Sequence, residues 1–84
     1  MSYKMINKIP EVREKKGLSI TDLQAAIITK TGQKMSYHTL HNLAKDEANN
    51  QELSYRTNLG SISVIALAMG VTLDELVDIQ LITA

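Results

Sequence analysis

The chain has 84 residues, 44% hydrophobic and 21% charged, which suits one folded core and excludes global disorder. It has no cysteine, so a disulfide framework, a thiolate zinc site and a cysteine nucleophile are excluded. Nine basic and nine acidic side chains give a formal net charge of zero, which taken alone counts against a grip on a polyanion, because such affinity is mainly electrostatic.

Helical punctuation recurs along the chain while Asn-Gly and Asp-Gly hairpin signals are missing, so the expected fold class is all-α. Asn7 is the expected cap of helix one, with Pro10 in the first turn, where its missing N–H does no harm. Ile6, Ile9 and Val12 then recur at helical spacing up to Lys15, Lys16 and the stop at Gly17. Ser19 to Asp22 reads as a capping box opening helix two, whose stripe is Ile20, Leu23, Ala26 and Ile27, with Gly32 as terminator. Helix three starts at the cap Ser36, carries Leu40, Leu43 and Ala44 on one side, and is expected to run to about Glu47.

The stretch from Asp46 to Asn58 is polar and reads as one long loop, a feature that in a small domain usually serves function. Asn58 is the expected cap of helix four, with Leu59, Ile62, Ile65, Ala66 and Met69 on one stripe and Gly70 closing it. Thr72 to Glu75 forms a capping box for helix five. The apolar tail from Val77 onward fits a strand or a helix equally by period, and it is expected to pack on a second copy or back on helix five. One domain over 1–84 follows, with its core in 6–76 and the tail in 77–84. The longest apolar run, Val64 to Met69, is far short of the roughly 20 residues of a spanning helix, and the N-terminus lacks a secretory apolar segment. A soluble, cytoplasmic protein without membrane contact is expected.

Projected at about 100° per residue, helix three turns Leu40, Leu43 and Ala44 to one side, and Tyr37, His38, His41, Asn42 and Lys45 to the other. That outer side has no acid before Asp46, unlike a merely solvated helix, which pairs Glu with Lys. Its donors and acceptors suit a nucleic-acid groove: Asn can bond adenine bidentately, and His and Lys can reach guanine or phosphate. Charge is also divided. Residues 1–45 hold eight basic and three acidic side chains, a net of +5, and residues 46–84 hold one basic and six acidic, a net of −5. No nucleophile motif or glycine-rich phosphate loop occurs, so no enzyme is expected. His38 and His41 complete no closed metal-ligand set with Asp46 or Glu47.

The segments EVREKKGLSITDL (11–23), MSYHTLHNL (35–43) and SISVIALAMGVTLDEL (61–76) resemble the Cro and lambda-repressor-like helix-turn-helix domains, also called the xenobiotic-response-element family. The resemblance implies a five-helix domain with helix three in the major groove, usually as a homodimer on a two-fold site. The function it implies is sequence-specific regulation of transcription, as a repressor.

It carries base contacts onto Tyr37, His38, Thr39 and Asn42, with His41 assisting. Phosphate contacts are expected at Lys34, Ser36, Lys45, Asn49, Asn50, Gln51 and Arg56. Sixteen residues separate Leu23 from Leu40 where the family has about ten, so a longer helix two or an added loop is expected. Ile20 stands where the family often has a phosphate-holding Gln. Arg13 matches an arginine that often pairs with an acid late in helix three, where this chain has Ala44, with Asp46 or Glu47 as substitutes. No cofactor is implied. The alternative is a protein-interaction module on the same fold, an antitoxin or adaptor whose acidic C-terminal half docks a basic partner.

Overall fold

The computed structural model describes the backbone of residues 2–82 and the side chains of these residues other than 2 and 55–58. The expectation of an all-α fold is corrected by it: five helices are joined by a three-stranded antiparallel sheet, and the architecture is mixed α/β. The elements are β1 (Ser2–Asn7), α1 (Ile9–Lys15), α2 (Ile20–Thr31), α3 (Tyr37–Ala44), β2 (Glu52–Leu53), α4 (Tyr55–Met69), α5 (Leu73–Leu76) and β3 (Val77–Ile82), with a 3₁₀ turn at Asp46–Ala48 between α3 and β2.

The sheet order is β2-β1-β3, so the first and last strands of the chain lie side by side. In register, Asn7 faces Val77, Met5 faces Ile79, Tyr3 faces Leu81 and Ile6 faces Asp78, while Met5 also faces Leu53 of β2. The tail therefore packs as a strand against β1, not on helix five. Ile6, taken as the first residue of the helix-one stripe, belongs to β1. Its period-2 partner lies more than 70 residues away, and no local pattern announces such a pairing.

Local signals succeed where both partners of a contact are close in sequence. Ser19 Oγ accepts from the Asp22 N–H at 3.0 Å and the Asp22 carboxylate accepts from the Ser19 N–H at 3.1 Å, satisfying two orphan donors at the start of α2. Gly32 closes α2 at φ 70° and Gly70 closes α4 at φ 70°, a left-handed conformation that a Cβ disfavours. At α5 the Glu75 carboxylate accepts from the Thr72 N–H at 2.8 Å. The boundaries differ in three places. α3 stops at Ala44 instead of Glu47, α4 opens at Tyr55 instead of Asn58, and α5 has four residues because β3 takes the chain at Val77. The polar stretch after α3 is a 3₁₀ turn and a short strand instead of one open loop.

The core gathers Leu23 and Ile27 of α2, Leu40, Leu43 and Ala44 of α3, and Ile62, Ile65 and Met69 of α4. Ile9, Leu76, Met5 and Val77 close it from the helix-sheet junction. Fully burying a leucine or isoleucine contributes roughly 1.5–3 kcal/mol, so this cluster fixes how α3 is presented. The extra residues between Leu23 and Leu40 are divided: α2 grows to twelve residues, and residues 32–36 form the turn before α3.

Candidate nucleic-acid interface

α3 is short, and its orientation is set by contacts at both ends. At its start, Ser36 Oγ accepts from the Thr39 N–H at 3.2 Å and donates to Thr39 Oγ1 at 2.9 Å, so the cap also fixes the hydroxyl of an outward-facing residue. One residue earlier, the Met35 carbonyl accepts from Gln24 Nε2 of α2 at 3.2 Å. This tie between the two helices was not legible beforehand, although Gln24 sits one turn after Ile20, which packs on the core.

The far end of α3 is held by two side chains from the N-terminal elements. Arg13 donates from Nε to the Ala44 carbonyl at 3.1 Å, from Nη1 to the Leu18 carbonyl at 2.8 Å and from Nη2 to Asp46 Oδ1 at 2.8 Å. Asp46 thus supplies the acid that position 44 lacks. Asn7, fully buried, donates to the Leu43 carbonyl at 2.7 Å and to the Ala48 carbonyl at 3.2 Å. Its Oδ1 accepts from the Ile9 N–H at 2.9 Å. The expectation that Asn7 caps helix one is therefore corrected: the cap position is Lys8, without a side-chain cap bond, and Asn7, the last residue of β1, reaches the Ile9 N–H from one residue further out because its side chain is turned inward as a long-range brace.

With Leu40, Leu43 and Ala44 buried, the opposite side of α3 presents His38, Thr39 and Asn42, all exposed, and Tyr37 at 48% exposure. Asn42 Nδ2 and His38 Nε2 lie 3.2 Å apart, one turn from each other. With Nε2 as the acceptor, Asn42 keeps Oδ1 and one N–H for an outside partner. His41 is half-buried; its ring stacks on Tyr37 with centroids 5.7 Å apart and planes at 15°, and its Nδ1 is buried without a hydrogen bond. The structure thus brings Tyr37, His38, Thr39 and Asn42 together on one open surface and draws His41 partly inward.

The expected phosphate-contacting residues are scattered. Ser36 stands at the head of α3 and Lys45 at its foot. Lys34 is exposed beside a groove that Gln33, Met35, Gly60, Ser61 and Val64 also line. Asn49 is half-buried with its Oδ1 enclosed and unpaired. Asn50 adopts φ 67° and accepts from Lys8 Nζ. The backbone of Asn50 and Gln51 is bonded to Asn7, at 2.9 and 2.8 Å, so this turn serves the sheet and holds the foot of α3; the Gln51 side chain itself is exposed. The Arg56 and Asn58 side chains lie outside the described residues. Among the described residues no group of three or more His, Asp or Glu is placed to hold a metal ion, and no helix is long and apolar enough to cross a membrane.

Comparison with protein-family models, with curated proteins and with solved structures found no match for this chain.

Proposed function

We propose that this chain is a sequence-specific, duplex-DNA-binding regulator of transcription, a repressor of the Cro and lambda-repressor kind. Two copies act in the cytoplasm on a two-fold site, each placing α3 in the major groove. The observation that carries this reading is the two-sidedness of α3. Its inner side is locked by buried Leu40, Leu43 and Ala44, while its outer side displays His38, Thr39 and Asn42 with no acid among them.

In this reading Asn42, already positioned by His38, offers its amide to adenine N6 and N7, and His38 and Thr39 bond neighbouring base edges. Tyr37, stacked on His41, offers its exposed ring edge to a thymine methyl or its hydroxyl to the backbone. Lys34, Lys45 and the Ser36 end of the helix hold phosphates and set register. The concentration of positive charge in residues 1–45 supplies attraction that the neutral total conceals.

Neutralising about four to six phosphates makes log affinity fall with log salt at a slope of roughly −4 to −5. Selection of bound duplexes from a random pool, followed by titration at several salt concentrations, measures site, spacing and slope together. No binding to any duplex at low salt overturns the proposal and favours the protein-interaction alternative. On the selected site, Asn42→Ala is expected to cost about 1–3 kcal/mol while leaving non-specific binding nearly intact. Lys45→Ala is expected to weaken both and to flatten the salt slope by about one unit. Equal losses on specific and random DNA for Asn42→Ala would remove it from the base-reading set.

A further inference from the structure

His38 and Asn42 sit one turn apart on the open side of α3, with Asn42 Nδ2 3.2 Å from His38 Nε2 and both residues exposed. An amide nitrogen only donates, so in this arrangement Nε2 is the acceptor, and the imidazole is neutral with its proton on Nδ1. Asn42 then turns Oδ1 and its second N–H outward, one acceptor beside one donor. That is the complement of adenine, which offers N6–H as donor and N7 as acceptor in the major groove.

Protonation removes the lone pair on Nε2, and a cationic imidazole has only N–H donors. The pair then re-forms only with the amide turned over, so that Oδ1 accepts from the Nε2–H and the NH₂ group faces outward. An outward donor group without an acceptor suits guanine, whose O6 and N7 both accept. A neutral imidazole with its proton on Nε2 also admits the turned amide. The neutral state therefore allows either base, while the cation allows one.

Histidine is the side chain whose charge ordinarily changes between pH 5 and 8. On α3 the other titratable groups are Tyr37 and His41, whose rings stack on each other, with Lys34 before the helix and Lys45 at its foot. The elements packed most closely on α3 are α2, α1 and the 3₁₀ turn. α2 brings Lys30 and Asp22, whose carboxylate is engaged at the Ser19 cap. α1 brings Glu11, Arg13, Glu14 and Lys15, and the turn brings Asp46 and Glu47. Arg13 and Asp46 are bonded to each other, and Glu11 lies 3.8 Å from Lys8. Among the described residues no ion pair joins any of these groups to His38, so Asn42 is the group whose bonding its proton rearranges.

We propose that His38 is a proton-dependent positioning residue for Asn42, which shifts the base Asn42 selects from adenine toward guanine as pH falls. This deepens the DNA-binding reading above and rests on it. Adenine recognition needs Nε2 unprotonated, so it weakens on acidification, whereas guanine recognition is compatible with the cation. The added positive charge strengthens phosphate attraction for both duplexes alike, so the ratio of the two affinities isolates the switch.

The base pair concerned is the one at which Asn42→Ala erases the preference in selected duplexes. Two duplexes that differ only there, A·T against G·C, are titrated by fluorescence anisotropy at pH 8 and pH 5.5. The wild-type adenine-to-guanine affinity ratio is expected to fall at least about fivefold, the lower end of what one bidentate base contact discriminates. His38→Gln keeps an uncharged acceptor and donor, so its ratio is expected to stay flat. His38→Lys has donors only and is expected to favour guanine at both pH values. Both substitutions lie on the exposed side of α3, and circular dichroism checks that they fold.

A constant wild-type ratio overturns the proposal, as does an equal fall in His38→Gln, which would place the titration on His41. Nitrogen-15 NMR without DNA is the second arm. Asn42 side-chain N–H resonances that follow the His38 titration support the pair, and resonances indifferent to it overturn the switch while leaving DNA binding standing. A wild-type chain that binds no duplex at either pH overturns the DNA-binding reading and the switch with it.

Discussion

Replacing Asn7 with leucine is expected to lower stability by about 2–6 kcal/mol, enough to leave a large fraction of the chain unfolded at 37 °C. The side chains are similar in volume, so the loss is one of hydrogen bonding. Leucine leaves the Leu43 and Ala48 carbonyls and the Ile9 N–H without the partners that Asn7 supplies. A buried backbone group stripped of its partner costs about 1–3 kcal/mol, and two such groups are at stake, the Leu43 carbonyl and the Ile9 N–H, since the Ala48 carbonyl keeps the Gln51 N–H at 3.2 Å. A domain of this length has only about 4–13 kcal/mol in total at 0.05–0.15 kcal/mol per residue. Urea denaturation followed by circular dichroism measures the difference, and a loss below about 1 kcal/mol would show that the brace is dispensable. Because Asn7 ties β1 to the foot of α3, a folded remnant should also present α3 less rigidly, which under the proposed function means weaker discrimination between DNA sites.

Arg13→Met is the second large effect, with an expected loss of about 2–4 kcal/mol. The guanidinium side chain is only 14% exposed and satisfies two carbonyls, on Leu18 and Ala44, besides its ion pair with Asp46. Hydrogen bonds from a charged donor contribute about 1.5–3 kcal/mol each, and methionine retains much of the apolar stem. The Asp46 partner is 77% exposed, so Asp46→Asn should cost under about 1 kcal/mol, as solvated ion pairs do. Comparing the two denaturation curves tests this division: equal losses would mean that the ion pair, not the carbonyl contacts, carries the contribution of Arg13.

Both residues were visible in the sequence, but in smaller roles. Asn7 stood out as a helix cap and Arg13 as an arginine seeking an acid after α3. What local pattern could not convey is that each side chain crosses to the foot of α3, more than 30 residues away. The interface divides in a similar manner. The outward set His38, Thr39 and Asn42 follows from periodicity alone once Leu40, Leu43 and Ala44 are assigned inward. The withdrawal of His41 depends on the packing of Tyr37 against it. Asn49 and Asn50 look like a loop offering polar groups to a ligand, yet their surroundings engage them in the turn that closes on β1.

Chemistry carried within three or four residues was thus determined by the sequence itself: the caps at Ser19 and Ser36, the left-handed stops at Gly32 and Gly70, and the two sides of α3. These contacts form between near neighbours, where spacing dictates geometry. Only the tertiary structure decided that the fold is mixed α/β. A six-residue strand becomes stable when another strand satisfies its backbone, and the partners here, β1 and β3, are the two ends of the chain. Their pairing shortens α5, recruits Asn7 to the core and leaves Ile79 and Leu81 on an open edge.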